Sequence, residues 1–352
     1  MFLFLAIQLL ISTGDQISSF DALRYKGRDA LSESRYADAE RLLKAAVHEA
    51  ERHGAVDRSL LAVVLNDLGE AYRHMDRIAE AEARYKESAS LLRQEPRAGR
   101  ALVMVLNNLG AMYRERRLYP RAAVCHEEAM KVAKKVLPAN DALLGTILHG
   151  LAAFSVWKGD LGNAQKQLER SLHIRQSSPA AGSHDVAETL NSLGTVQLRR
   201  KQYSNAEGSL RGSLTLMETL YGQNHTEVAA VLNNLGVVYL AEKKYAEAEQ
   251  VLQRSLRIYR AILAAGDARI AGAAFNLAQL YLDQERFAES EPLLREVVAI
   301  RNAHGHSASD EHALAYERYA IVLRRNGLTA DADAADARAK SIRSELRYTF
   351  KP

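Results

Sequence analysis

The sequence predicts an all-α protein, a superhelix built from about eight helical hairpins. Three observations carry this. A Leu-Gly pair or its equivalent recurs at Leu68-Gly69, Leu109-Gly110, Leu151-Ala152, Leu193-Gly194, Leu235-Gly236, Leu277-Ala278 and Tyr319-Ala320, in steps of 41 and then five times 42, with an eighth copy at Lys26-Gly27. Each unit then opens with apolar residues at helical spacing, as Leu65, Leu68, Gly69 and Tyr72 show. After a short polar break, an aromatic or aliphatic residue opens a second helix: Tyr36, Ile78, Tyr119, Leu161, Tyr203, Tyr245 and Phe287.

Three positions into each second helix stands a small residue: Ala39, Ala81, Ala122, Ala164, Ala206, Ala248, Ser290 or Ala332. It is expected to pack on the Gly or Ala of the first helix, because a mid-helix Gly costs about 1 kcal/mol and needs a close contact to offset it. A hairpin of this size cannot bury its apolar face alone, so the units stack into one elongated domain over residues 16–345, followed by a tail, 346–352. The irregular stretches near 95–100, 136–142, 177–184 and 303–311 fall between units and read as loops, and Pro120 suits the first turn of a helix. The fourth and fifth copies carry Ser155 and Gln197 where an aromatic is usual, and the last carries Asp336 at an apolar place, as suits a capping helix.

Residues 1–14 begin with the apolar run Met1 to Ile11, followed by Ser12, Thr13 and Gly14, and read as a secretory signal, which would place the chain outside the cytosol. The usual basic start is missing, and the competing reading is an apolar helix on the first unit. The run is shorter than the roughly 20 residues a membrane-spanning helix needs, so no integral membrane span is expected.

Charged residues at 26% and hydrophobic ones at 47% are ordinary for a globular protein. A net charge of +4, with both signs interleaved along the helices, does not make a nucleic-acid footprint. The one cysteine, Cys125, excludes an internal disulfide and reads as a small buried hydrophobe. His304, His306, Asp310 and His312 cluster before the last unit and offer metal-ligating groups, but a solvated turn with His312 in the following helix is the plainer reading, and no phosphate loop or nucleophile elbow occurs. No metal, cofactor or catalytic residue is assigned.

The run from Val228 to Tyr239, the segment from Lys244 to Glu249 and the preceding Gly222 to His225 resemble the tetratricopeptide repeat, in the longer form of kinesin light chains. The resemblance covers about residues 16–345 and implies a right-handed solenoid whose first helices line an inner wall. One line across that wall reads Asn66, Asn107, His149, Asn191, Asn233, Phe275 and Glu317. An Asn side chain both donates and accepts, so such a row can hold the backbone of an extended peptide without reading its sequence. Inter-repeat bridging by the Asn residues, with Asn108, Asn234 and Asn276 one step along, is the competing explanation.

Trp157 and Leu240 are expected to line apolar pockets beside the row, along with Ala153, Val156, Val237, Ala241 and Leu282, while Arg73 and Arg114 make one end of the wall basic and Arg324 and Arg325 the other. Some tetratricopeptide domains clamp a carboxylate with Lys and Asn just after the first-helix Gly. Here those places hold Glu70, Ala111, Ala153, Thr195, Val237 and Gln279, so that clamp is absent. The sequence therefore points to a non-enzymatic scaffold that takes a protein or peptide partner on Asn66, Asn107, Asn191, Asn233, Trp157, Leu240, Arg73 and Arg114. The alternative is an assembly protein that self-associates or joins an envelope complex through its convex face or terminal repeats.

Overall fold

The computed structural model describes residues 19–53, 57–178, 182–303 and 309–349. The apolar N-terminal run, His304 and His306 lie outside them. Among the described residues the chain is helices and turns, with no strand. The helices form hairpins: α1 (19–32) with α2 (Tyr36–His53), α3 (Arg58–His74) with α4 (Ile78–Arg93), α5 (Gly99–Glu115) with α6 (Tyr119–Val136), α7 (Ala142–Trp157) with α8 (Leu161–Ser177). Then come α9 (Ser183–Arg199) with α10 (Tyr203–Tyr221), α11 (Thr226–Ala241) with α12 (Tyr245–Ile262), α13 (Ala268–Asp283) with α14 (Phe287–Ala303), and α15 (Asp310–Arg325) with α16 (Thr329–Thr349). The seven residues expected to open second helices are the first residues of α2, α4, α6, α8, α10, α12 and α14.

Two compact units result. Unit 1 spans Met1–Ala181 and unit 2 spans Gly182–Pro352. Within unit 1 a core of alternating first- and second-helix residues runs from Phe20 to Ile174, and within unit 2 another runs from Ala187 to Val322. The small second-helix residues are fully buried, from Ala39 to Ala332.

They share their task with the residue one turn further on. A Cβ at Gly69 would stand 2.9 Å from the Tyr85 ring, at Gly194 2.6 Å from Leu210 Cγ, and at Gly236 2.5 Å from Leu252 Cγ. The small residue does abut the first helix, as Ser290 shows by donating to the Ala278 carbonyl at 3.0 Å, but the space freed by glycine is filled by the large side chain beyond it. Removing the Cβ thus admits a whole Leu or Tyr between two backbones.

Every hairpin turns in the same way. Ser34, Asp76, Arg117, Gly159, Lys201, Lys243, Glu285 and Gly327 all have φ between 58° and 82°. The residue after each closes a six-residue ring onto the first helix, such as Arg77 N–H to the Tyr72 carbonyl at 2.9 Å and Lys244 N–H to Tyr239 at 2.9 Å. This satisfies a helix-end carbonyl in the Schellman manner. Between units, Asp57, Asp141 and Asp267 start the next first helix by accepting the N–H two residues on, and His225 Nδ1 does so for Glu227 at 3.2 Å.

Three polar devices tie hairpins together without any obvious mark in the sequence. Ser88, Ser171, Ser213 and Ser255 are buried in second helices and donate across their own hairpin to the carbonyls of Ala62, Gly145, Ala187 and Ala229 at 2.6–2.7 Å. Between hairpins, Tyr281 Oη donates to Glu249 at 2.9 Å, and Arg286 lies 4.2 Å over the Tyr281 ring while pairing with the same carboxylate. Lys244, Tyr239 and Glu207 repeat this clamp in unit 2, and in unit 1 Arg77 likewise lies over the Tyr72 ring and pairs with Glu40. Where the aromatic is missing, the hole is filled from within the hairpin: Ser155 Oγ donates to Gln167 at 2.9 Å, and Ser209 Oγ to Gln197 at 2.8 Å.

In the last hairpin, Asp336 stands where Leu252 or Leu294 stands elsewhere and accepts from Arg324 at 2.9 Å, consistent with an outward-facing cap. Cys125 is buried, and burial pushes its thiol up to about 11. A thiol reagent at pH 8 is expected to label native Cys125 about a hundredfold slower than free cysteine, and at the free rate in denaturant. Equal rates in both conditions would contradict the burial.

Candidate functional site

The stripe of first-helix residues left partly open in unit 2 follows from helical spacing. On α11, Ala230, Asn233, Asn234, Val237 and Leu240 are half-buried, whereas Val231, Leu232, Leu235, Gly236, Val238 and Tyr239 are buried. Those open positions recur at i, i+3, i+4 and i+7, one face of the helix. Equivalent residues are Glu188, Asn191, Ser192, Thr195 and Leu198 on α9, and Gly272, Phe275, Asn276, Gln279 and Leu282 on α13.

The Asn residues of this stripe form a ladder. Asn234 Nδ2 donates to Asn191 Oδ1 at 2.9 Å, and Asn276 Nδ2 donates to Asn233 Oδ1 at 2.9 Å. In unit 1, Asn108 Nδ2 donates to Asn66 Oδ1 at 3.0 Å. Asn108, Asn234 and Asn276 therefore bridge consecutive hairpins, and their partners are members of the candidate row. The bridge fixes the amide plane: the carbonyl oxygens of Asn191 and Asn233 are taken, while their Nδ2 groups make no hydrogen bond among the described residues.

The two units differ in how open the row is. Asn66 and Asn107 are buried, at 7% and 8% exposure, whereas Asn191 and Asn233 are half-buried. Asn66 also donates to its neighbour Asp67, whose carboxyl is pushed up to about 6 by burial, with Arg28 3.5 Å away pulling the other way.

Asn107 Oδ1 has no partner among the described residues, because Gly150 stands where a bridging Asn stands in other hairpins. The reason for that glycine is His126. This ring occupies the second-helix place held elsewhere by Leu43, Tyr85, Leu210 or Leu252, and a Cβ at Gly150 would lie 2.4 Å from its Nε2. Gly110 frames its other side, with a would-be Cβ 2.7 Å from Cε1. His126 is 1% exposed, and neither ring nitrogen has a hydrogen-bond partner among the described residues. Burial, with Arg114 and His149 nearby, pushes it down to about 4.

The remaining candidates separate. Leu240 is half-buried and packs on the unit 2 core beside the Asn row. Arg73 pairs with Glu115 at 3.1 Å, so its charge is largely offset, and Arg114 is half-buried. Trp157 lies elsewhere than the Asn line: it ends α7, eight residues past His149 and about 80° further round the helix. It is 55% exposed and sits on the hairpin-turn edge, 6.3 Å from the Tyr119 ring and 5.7 Å from Phe154.

The same edge contact recurs as Tyr36 on His74 and Phe287 under Arg325, so Trp157 occupies a stacking place between hairpins. At the far end of the row, Glu317 is held by Arg343 at 2.7 Å, and Arg324 by Asp333 and Asp336. His312 is buried and meets Asn302 at 3.1 Å. Among the described residues no cluster of three His, Cys, Asp or Glu side chains is arranged to hold a metal ion, and no helix is long and apolar enough to cross a membrane.

The tetratricopeptide repeat model matches residues 60–135, 143–219, 185–261 and 227–303. No curated protein matches the chain. Among solved structures, the apo form of the quorum sensor NprR from B. thuringiensis is 13% identical and covers 96% of this chain and 92% of its own, with a TM-score of 0.70. Apo RapI is 13% identical over 80% of this chain and 97% of its own, with a TM-score of 0.64. A putative kinesin light chain of Podosopora anserina, with nearly identical TPR-like repeats, is 19% identical over 57% of this chain and 95% of its own, with a TM-score of 0.48. At these identities the likeness to NprR and RapI speaks to the fold, and it agrees with the repeat model, which covers more than half of the sequence. The chain belongs to the tetratricopeptide-repeat family.

Proposed function

We propose that this chain is a non-enzymatic scaffold that holds an extended segment of a partner protein on the first-helix stripe of unit 2. Asn191 and Asn233 are its backbone-holding residues, and Val237 and Leu240 receive apolar side chains. One observation carries the reading. The ladder holds both asparagines by their oxygens and leaves their Nδ2 groups as pre-oriented donors beside an apolar strip. Donors fixed before the ligand arrives cost no further ordering on binding.

In unit 1 the equivalent asparagines, Asn66 and Asn107, are buried, so contact there falls to Arg73 and Arg114 at the rim. Trp157 acts from the hairpin-turn edge and is not required for backbone capture on the Asn stripe.

The test uses a random-peptide phage library selected on the intact chain. Asn191→Asp with Asn233→Asp keeps the oxygens that accept from Asn234 and Asn276 but removes both free donors. Selected peptides are expected to lose about tenfold in affinity for each lost hydrogen bond, with helicity by circular dichroism unchanged. Undiminished binding by the double variant would contradict the assignment.

A further inference from the structure

Second helices of neighbouring hairpins leave grooves between them, floored by the Leu and Tyr of the intervening first helix. Among the described residues such grooves open as cavities of about 650 Å³ between α4 and α6, about 240 Å³ between α10 and α12, and about 760 Å³ between α12 and α14. The last falls in the size range of ligand sites and differs from the others in two ways.

First, Pro292 sits inside α14. Lacking an N–H, it cannot bond the carbonyl of Ala288 four residues earlier, and both residues line the cavity. Ala288 thus presents an acceptor that has lost its helical donor. Second, Arg257 lines the same cavity with no ion pair among the described residues. One turn away on either side, Arg254 is held by Glu218 at 2.7 Å and Arg260 by Glu296. In the α4/α6 groove Lys86 is held by Glu82 and Arg93 by Glu128, and Arg121 lies 5.8 Å over the Tyr113 ring. Leu256, Leu277 and Leu293 give the cavity an apolar lining, beside Gln253, Tyr281 and the Glu289 carboxylate, which Arg286 holds.

An apolar pocket, a lone backbone acceptor and an unpaired guanidinium within one cavity match three groups that occur together on one residue type. We infer that the α12/α14 groove captures the C-terminal residue of a partner chain. The residue's apolar side chain enters against Leu256, Leu277 and Leu293, its amide N–H donates to the Ala288 carbonyl, and its terminal carboxylate pairs with Arg257. A carboxylate meeting a planar guanidinium gains both charge and directed hydrogen bonds. The site lies on second helices and is separate from the Asn stripe of the first helices.

The experiment is fluorescence anisotropy of the intact chain with a labelled alanine-rich peptide ending in leucine with a free carboxylate. The free acid is expected to bind saturably, and amidating the terminus or making Arg257→Gln is expected to weaken binding about tenfold each. Pro292→Ala restores the N–H that occupies the Ala288 carbonyl and is expected to weaken binding while leaving the helix intact. Asn191→Asp with Asn233→Asp is expected to leave it unchanged, so failure here and failure of the stripe are separable. Equal affinity of acid and amide would overturn the proposal, as would indifference to Arg257→Gln. Equal affinity for a peptide whose only carboxylate is an aspartate side chain beside an internal leucine would overturn it too.

Discussion

The contribution of His126 to the folding free energy of unit 1 is expected to fall by about 3 kcal/mol as the pH is lowered from about 6.5 to about 4, and His126→Leu is expected to remove that contribution. The folded-state value of His126, about 4, lies below its ordinary 6.5. Between these values the unfolded chain takes up a proton at this residue that the folded chain refuses, so the His126 contribution rises with pH across the window and is flat above it. The cause is geometric. The ring is enclosed by Gly110 and Gly150 with neither nitrogen bonded, and the nearby Arg114 and His149 both disfavour a second positive charge.

Asp67 works in the opposite sense. Its folded value of about 6 lies above 3.8, so it favours the folded state toward low pH and gives that stability up as the pH rises through 6. Its contribution is common to both proteins. Denaturant unfolding of the intact chain and of His126→Leu, compared at each pH, therefore isolates the histidine. At pH 7 the variant is expected to be the more stable by about 1 kcal/mol, because it relieves an unsatisfied buried polar group. Parallel curves across the window would contradict the account.

The second large effect is a contrast between two glycines of neighbouring first helices. Gly236→Ala is expected to destabilise unit 2 by about 2 kcal/mol, since the new methyl would meet Leu252 at 2.5 Å at both Cγ and Cδ2, and overpacking outweighs the gain in helix propensity. Gly272→Ala, on α13, meets nothing within 4 Å and is expected to stabilise by about 1 kcal/mol. Thermal unfolding of the two variants should move in opposite directions. A shared direction would mean that propensity or packing alone governs these positions.

The architecture was legible in the sequence because it is written eight times over. Period, helix starts and the small residues at Ala39 to Ala332 all follow from side chains whose size or apolarity repeats at fixed spacing. The hairpin turn was not legible, since its left-handed residue is a backbone property, visible only where glycine happens to supply it at Gly159 and Gly327. The serine staples at Ser88, Ser171, Ser213 and Ser255 were hidden for a similar reason: their acceptors are backbone carbonyls that any residue offers.

The candidate site was half legible. The Asn row was visible as a recurrence. Which atom of each amide is free depends on a partner about one repeat away, and the burial of Asn66 and Asn107 on packing around them. The coupling of His126 to Gly150, and of Gly150 to the orphaned Asn107, spans two hairpins and carries no local signature. Trp157 looked like a wall residue because only its spacing along α7 was known, whereas its ring contact with Tyr119 needs the preceding hairpin in place.

The central claim, that the first-helix stripe of unit 2 holds an extended segment, is tested most directly by hydrogen-exchange mass spectrometry of the intact chain with and without the best selected peptide. Protection should concentrate on α9, α11 and α13 and disappear in the Asn191→Asp, Asn233→Asp variant. Protection confined to α10, α12 and α14, or unaltered by that variant, would contradict it.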